Sequence, residues 1–568
     1  MFRRPLILVS MSLALLVAVV SCAPAASPTP AVQTPAATQP KSPTSPASPS
    51  PKATPTPASP SPTKKDAEQP LYGGVVTRVM NRDVPNFDVQ QGVGADTSAT
   101  MFNVFQGLVR LDPLEHQKVL PELAEKWEIS PDGKTYTFKF YPGIKWHDGK
   151  PFTMDDVKYS LDRMHTPKDF KAISPRGEPL LAAMDKAEIA GEDTIKITTK
   201  YPSASFLGNL ATGWVAIGPK HILVAKGDLK RDAIGTGPFK LKEFSADVTL
   251  ALEKNKDYYV KGLPYLDGIR FYTVKDTATR FSAFRTGQAK ITFTGSAGLS
   301  PTESEIVRRE MTGKATVYEH DALTGYTLVF NMERKPWSDI RVRRAVNLVF
   351  DHQAAIKING DRGYIGSIFV QPWGMKPEDV AKLPGFRQPK DADVAEAKKL
   401  MAEAGFPNGF KTTLLSQTGG ATERQATLMK DQLARIGIDA EISLAEYAAY
   451  FERSSSGNFD LLNTSNAINT SDPDEMLFTN YVTGGGRNFG RFSVKEIDEL
   501  INKQAGTLDA TVRKAMVADI EKKIMEQIPV VLTFWNIWQT GGWNDVKHFR
   551  PGPGIHSYTK YDYMWLAK

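Results

Sequence analysis

Residues 128–143, EISPDGKTYTFKFYPG, alternate apolar and polar positions. Tyr136, Phe138 and Phe140 fall on one face of a period of two, with Thr135, Thr137 and Lys139 on the other. With Pro-Asp-Gly just before, the pattern predicts a β-hairpin. At 153–164 the period lengthens, and TMDDVKYSLDRM predicts a helix with Thr153 as N-cap and Asp156 three residues on. Residues 391–405 predict a second helix, with Ala397, Leu400, Met401 and Ala404 on one face and Gly405 as the stop. Ser493 and Glu496 have the spacing of a capping box opening a helix over 493–501. Val512, Met516, Ile520, Ile524 and Ile528 recur at i, i+4 up to Pro529, after which VVLTFW reads as a buried strand. Helices and strands intersperse throughout, so the class is α/β or α+β, and no fixed-period repeat is visible.

The N-terminus follows a different logic. Arg3 and Arg4 precede an apolar run at 5–20 and a small Ser21, the layout of a cleaved export signal (1–21). The only cysteine of the 568-residue chain, Cys22, comes next. A lone cysteine makes no internal disulfide. The stretch VVSC resembles the lipobox of bacterial lipoproteins, which implies cleavage before Cys22 and acylation of it. More than one acyl chain holds a protein at a membrane surface, where a single chain binds only marginally. Residues 23–65 are nearly all Pro, Ala, Ser, Thr and Gln, with 13 of the chain's 39 prolines and no aromatic residue. Such a segment buries too little apolar surface to offset its ordering entropy. We read 22–70 as a lipidated cysteine and an extended tether.

About 500 residues remain, enough for two to four domains or lobes with substantial cores. Net charge is +7 overall and about +3 on this body once leader and tether are set aside. No clustered basic face is visible, so nucleic acid is not an expected partner. There is no H-E-x-x-H, G-x-S-x-G, Walker loop or G-x-G-x-x-G. GTGPF (235–239) and GGGR (484–487) read as turns, and His147 beside Asp148-Gly149 reads as a turn residue. The arginines of RVRRAVN (341–347) read as a solvated face or structural ion pairs. No metal or other cofactor is expected, and the missing motifs weigh against an enzyme. Three of nine tryptophans fall within 535–543, WNIWQTGGW, a cluster we take as a candidate pocket lining.

At 120–164 the hairpin and helix strongly resemble the signature region of the family 5 extracytoplasmic solute-binding proteins of ABC importers, the oligopeptide-, dipeptide- and nickel-binding group. GTGPFKLKEF (235–244), GLPYLDGIRFYTVKDTATRFSAFRTGQ (262–288), LVFNMERKPWSDIRVRRAVNLVFD (328–351), AKKLMAEAGF (397–406), SDPDEMLF (471–478) and the segment 497–534 follow in that family's order. The resemblance implies an α/β, two-lobed periplasmic-binding-protein fold with an extra domain on the N-terminal lobe and a hinge-closing cleft. Lobe I would comprise 71–112, 228–325 and 530–568; the extra domain 113–227; and lobe III 326–529. It also implies a monomer that binds a peptide or similar small polar solute and hands it to permease subunits, anchored outside the cytoplasm through its lipid.

Ligand identity is less defined. Dipeptide-type members carry an aspartate three residues before the DPD tripeptide, which pairs with the ligand's amino terminus; here the position is Asn469, and a neutral amide supplies no ion pair. Asp472 and Asp474 are substitutes, although turn capping beside Pro473 is the favoured reading. Lys290 stands where the family's sGqvDi-like segment has an acid. Candidate ligand contacts are Val93, Gly94, Ala95 and Asp96 on the lobe I rim, Trp373, Asn469, Asp472, Arg487, Asn488, Trp535 and Trp538, with Arg487 suited to a carboxylate. Oligosaccharides and opine-like compounds are alternative ligands, nickel chelates rank lower without a histidine cluster, and an exported hydrolase is the alternative of another class.

Overall fold

The computed structural model describes residues 69–568 except 93, 114, 116, 117, 294–297 and 555–559. Cys22, the leader and most of the tether therefore lie outside the described residues. Strand Ala124–Ile129 pairs antiparallel with Thr135–Phe140, as the alternation requires, and Tyr136, Phe138 and Phe140 are buried. Thr194–Thr199 and Met184–Gly191 complete a four-stranded sheet. Helix Met154–His165 packs on it through Val157, Leu161 and Met164. Its expected cap is formed: Asp156 Oδ2 accepts the Thr153 N–H at 2.9 Å, occupying a donor the helix leaves unpaired.

In a second sheet Val75–Met80 runs parallel to Gly268–Thr273, and Thr249–Lys254 and Phe239–Ser245 follow antiparallel. A continuous core joins the two sheets, from Val76, Ile269 and Phe271 to Phe138, Trp146 and Trp214. The remaining sheet has six strands in the order Gly363–Tyr364, Val530–Trp543, Ala315–Phe330, Leu461–Ala467, Phe410–Gln417 and Ile438–Ala445. Its core gathers Phe330, Trp337, Leu414 and Leu433. Helices Lys495–Ala505 and Ala510–Gln527 build a further core with Trp535.

The two longest strands, Ala315–Phe330 and Val530–Trp543, are antiparallel partners with register breaks between Asp321 and Gly325 and between Tyr326 and Thr327. One end of this ribbon reaches the parallel sheet through bridges at Ile291, to Arg78 and to Gly542. Its other end lies within the six-stranded sheet. The fold is thus α/β with two lobes that share a two-stranded ribbon. Among the described residues no helix is long and apolar enough to cross a membrane.

Two sequence motifs prove to be one structural feature. Gly235 N–H donates to His147 Nδ1 at 3.3 Å, and His147 Nε2 lies 3.0 Å from Gly237 O, an arrangement that suits the neutral ring. A Cβ on Gly235 or Gly237 would overlap the backbone of Val104 or Asn103. The glycines therefore serve close backbone approach as well as turning. Among the arginines of 341–347, Arg341 pairs with Asp339 at 2.6 Å. Arg343 is buried and donates to the carbonyls of Trp337, Gln527 and Ile528. Lys290 pairs with Asp545 at 2.7 Å and lies over Trp543.

Three expectations need correction. The capping box at Ser493 does not form: the helix starts at Lys495 with Val494 as N-cap, and Ser493 Oγ is instead the acceptor for Thr483 Oγ1. In the next helix the buried stripe is Arg513, Val517, Ile520, Glu521 and Ile524, while Val512 is exposed and Ile528 is left-handed beyond the end. The apolar spacing missed this because two charged residues occupy the inner face. The tryptophans at 535–543 do not cluster either. They lie on one strand, where residues three apart point to opposite faces. Trp535 is core, donating Nε1–H to Ser367 O at 2.8 Å; Trp538 packs edge-on to His320; Trp543 donates to Phe284 O.

Candidate functional site

A cleft of about 1130 Å³ lies between the lobes. The strand Ala315–Phe330 contributes Tyr318, Glu319, His320 and Asp321 to its lining, just before the register break. Ser205 and Asn209 line it from around the short helix Phe206–Leu210. Gln371 and Trp373 come from a loop, and Thr470, Ser471 and Asp472 from the turn after strand Leu461–Ala467. The volume lies just above the range typical of small-molecule sites, about 300–1,000 Å³, and the lining mixes aromatic and polar groups.

Arg513 organises the side carrying Trp373. Its guanidinium lies 4.8 Å from the Trp373 ring, grips both oxygens of Asp472 at 2.7 Å and reaches Asp474 Oδ1 at 2.9 Å. Gln504 donates to Asp474 and accepts from Arg513 Nε. Asp472 also caps the turn Pro473–Met476, accepting the Asp474 N–H at 3.0 Å. Burial and the neighbouring Asp472 raise the Asp474 pKa, and Arg513 opposes them. Asp472 thus caps the turn, as favoured from the sequence, whereas Asp474 does not cap; both are also ion-paired to Arg513, which the sequence reading did not foresee.

Asn469 belongs to a second cluster. Its backbone N–H and its Nδ2 each donate to Glu475, both at 2.7 Å. Arg176 Nη1 donates to Asn469 Oδ1 at 3.1 Å, from the part of the chain that also builds the hairpin sheet. Burial raises the Glu475 pKa, while Asn469, Arg176 and Arg487 oppose the shift. The amide at 469 is neutral, but a carboxylate stands within hydrogen-bond reach of it. A further contact joins the same two regions: Ala204 N–H donates to Ala505 O at 3.0 Å.

Trp373 and Asp472 therefore line the cleft, and Asn469 lies one residue from its lining. Arg487 is exposed and donates to Ala467 O at 3.3 Å. Asn488 staples its own loop, donating to the carbonyls of Val482 and Phe492, and is not a lining residue of the cleft. On the other rim, Asp96 is buried and paired with Arg82 at 2.6 Å. Gly94 N-caps the helix Ala95–Met101, and Val93 lies outside the described residues. Neither Gly94, Asp96, Trp535 nor Trp538 lines the cleft. The sequence reading missed Arg176, Glu475, Arg513, His320 and Gln371. None of the five carried a signal in the spacing: Arg513 lies on the inner face of its helix, off the stripe that the i, i+4 pattern picked out. Among the described residues no group of three metal-binding side chains converges.

Comparison with known proteins bears on this cleft. A family model described as bacterial extracellular solute-binding proteins, family 5 middle, matches residues 118–488. The glutathione-binding protein of Pectobacterium atrosepticum is 29% identical over 437 residues, covering 75% of this chain and 81% of that one. The dipeptide-binding protein of Escherichia coli is 26% identical over 445 residues, covering 73% and 80%. Among solved structures, an ABC-transporter-associated periplasmic binding protein of Helicobacter pylori in complex with the peptide STSA superposes with a TM-score of 0.70 at 25% identity, covering 88% of this chain and 99% of that one. A binding protein from A. tumefaciens R10 in complex with agropinic acid superposes with a TM-score of 0.69 at 26% identity, covering 87% and 99%.

Proposed function

The chain belongs to family 5 of the bacterial extracellular solute-binding proteins, and on that premise we propose that it captures a peptide in the cleft between its lobes and delivers it to the permease of an ABC importer. The observation that carries this reading is the cleft of about 1130 Å³ beside the shared ribbon, lined by Trp373, His320 and polar groups from both lobes. Relatives named for dipeptide and glutathione binding, and a structural neighbour solved with a peptide, support the ligand class. Aromatic faces give area at low entropic cost, and the polar groups orient a backbone.

The same reading assigns the cycle. The lobes are 71–112 with 228–325 and 530–568, and 326–529, with 113–227 as the extra domain. The ribbon bends at its register breaks, where ladder hydrogen bonds are missing, so closure costs little there. Ligand favours the closed state because only that state contacts it from both sides. Trp373 and Asn469 are the ligand-side residues we select from the sequence candidates. Cys22 carries the lipid, the tether sets the distance from the membrane, and the protein works as a monomer. Binding, without bond making or breaking, is the whole activity.

One observation favours a second ligand class. Asn469 is neutral and already bonded to Arg176 and Glu475, which suits a solute without a free amino group, and one neighbour was solved with agropinic acid. Native mass spectrometry of residues 69–568, before and after mild unfolding, separates the two. Released peptides support the main reading. An opine or sugar mass replaces it with the second, and turnover of the bound molecule would overturn both.

A further inference from the structure

We propose that Glu521 is a positioning residue for the ligand cleft: its carboxylate holds the loop 366–375 that presents Gln371 and Trp373, and its protonation state sets how firmly that loop is held. The proposal rests on the cleft being the ligand site.

The geometry carries it. Glu521 is buried on the inner face of helix Ala510–Gln527. Its two oxygens serve both ends of the loop: Oε1 accepts the Phe369 N–H at 3.3 Å and Oε2 accepts the Met375 N–H at 2.9 Å. Two backbone donors on two oxygens suit the charged form, since a protonated carboxyl turns one oxygen into a donor. The loop's other hydrogen bonds are mostly internal: Gln371 Nε2 donates to the carbonyls of Gly374 and Met375, and the Trp373 and Gly374 N–H groups donate to Val370 O. Trp535 Nε1–H donates to Ser367 O, and Ser367 Oγ shares the Met375 N–H at 2.9 Å. On one side the loop lines the ligand cleft through Gln371 and Trp373. On the other, Ser367, Ile368 and Met375 line a largely apolar cavity of about 560 Å³. Ile368, Phe369 and Val370 anchor the start of the segment in the core, and the Glu521 carboxylate supplies the polar tie between that anchor and Met375, across the stretch that faces the cleft.

The electrostatic surroundings leave Glu521 without a counter-charge. Among the described residues no ion pair involves it. On its own helix Arg513 is committed to Asp472 and Asp474, Lys523 pairs with Glu496 at 2.8 Å, and Lys522 is exposed. The loop 366–375 has no charged residue. From the turn Leu477–Tyr481 the Tyr481 phenol faces it, and burial keeps that phenol protonated well above its ordinary range. Burial accordingly pushes Glu521 up to about 7, against the pull of Ser367 and the two backbone N–H groups. The carboxyl therefore changes charge near neutral pH. At pH 8 about ten of eleven molecules carry the carboxylate and at pH 6 about one in eleven, so a property that needs the charged form falls about tenfold between them.

The test reads the two amides directly. Hydrogen exchange of Phe369 and Met375 is followed in the purified full chain from pH 5.5 to 8.5, corrected for intrinsic rates, in wild type and in Glu521→Gln. Titration with the tripeptide Ala-Ala-Ala, followed by tryptophan fluorescence, runs alongside. The expected result is about tenfold lower protection at pH 6 than at pH 8 in wild type, affinity following it, and flat profiles in the variant. Flat wild-type protection overturns the proposal, as does a variant that keeps the wild-type slope. The wild-type exchange profile decides even if the variant fails to fold. If the tripeptide does not bind at any pH while the exchange profile moves, the tether stands, Ala-Ala-Ala is not a ligand, and the mass of the released molecule decides the peptide reading.

Discussion

Replacing Arg513 by methionine tests whether the site rests on a buried charge network. Arg513 is 4% exposed and contacts Asp472 twice at 2.7 Å and Asp474 at 2.9 Å. With an effective dielectric of about 20, each pair is worth roughly 4 kcal/mol before desolvation is counted. Methionine keeps most of the volume but leaves Asp474 buried without its cation. Breaking one side of a buried pair costs about 3–5 kcal/mol. The loss has a ceiling, because Asp474 escapes by taking a proton. Burial and Asp472 already raise its pKa with Arg513 present, and without Arg513 it rises further. A raised carboxyl pKa gives stability that is full at low pH and lost as pH rises through it. The deficit of the variant should therefore be larger at pH 8 than at pH 5. Urea unfolding at both pH values measures it, with Trp373 fluorescence as a local probe because the guanidinium leaves its ring face. A deficit under about 1 kcal/mol at pH 8, or one independent of pH, would refute the assignment of the network as a buried, charge-balanced support.

Other consequences are separable. His352 is buried, stacked on Phe386 with its Nδ1 2.9 Å from Thr533 O, and burial pushes its pKa down to about 4. A depressed imidazole contributes stability that is full above about 6.5 and lost as pH falls toward 4, about 3 kcal/mol in all; His352→Phe should flatten that acid slope in unfolding titrations, and an unchanged slope sinks the idea. Gly235→Ala drives a methyl into the Val104 carbonyl and should cost several kcal/mol or prevent folding, whereas Gly143→Ala, at positive φ in open space, should cost about 1 kcal/mol by thermal melt. Similar costs for both would show that close approach is not what requires Gly235. Asn469→Asp places a second carboxylate against Glu475; one of the two should then hold a proton, with a loss of about 1–3 kcal/mol at pH 8 that shrinks at pH 5. Trp373→Ala should weaken ligand binding by about 1–3 kcal/mol in calorimetry at a temperature well below the unfolding midpoint, which itself falls because the ring packs on the core and under Arg513.

Local patterns in this chain were enough for its hairpin and the helix that follows it. The period-two run at Tyr136, Phe138 and Phe140 and the Thr153–Asp156 cap depend on residues within a few positions of each other, and both form as read. The order of motifs was enough for the family, and hence for the two lobes. What the sequence left open depends on partners far along the chain. Arg176 reaches Asn469, 293 residues away, and Arg513 reaches Asp472 across 41. No spacing rule announces such pairs, because their geometry exists only after separate elements pack. The tryptophans show the converse. Proximity in sequence suggested a pocket, but the pleat of one strand sends Trp535 and Trp538 to opposite faces, and the cleft is served instead by Trp373 from another loop. Glu521 and Arg513 were hidden for the same physical reason. A charged side chain on an inner helical face reads as a break in the apolar stripe until tertiary structure supplies the backbone donors and carboxylates that make its burial tolerable.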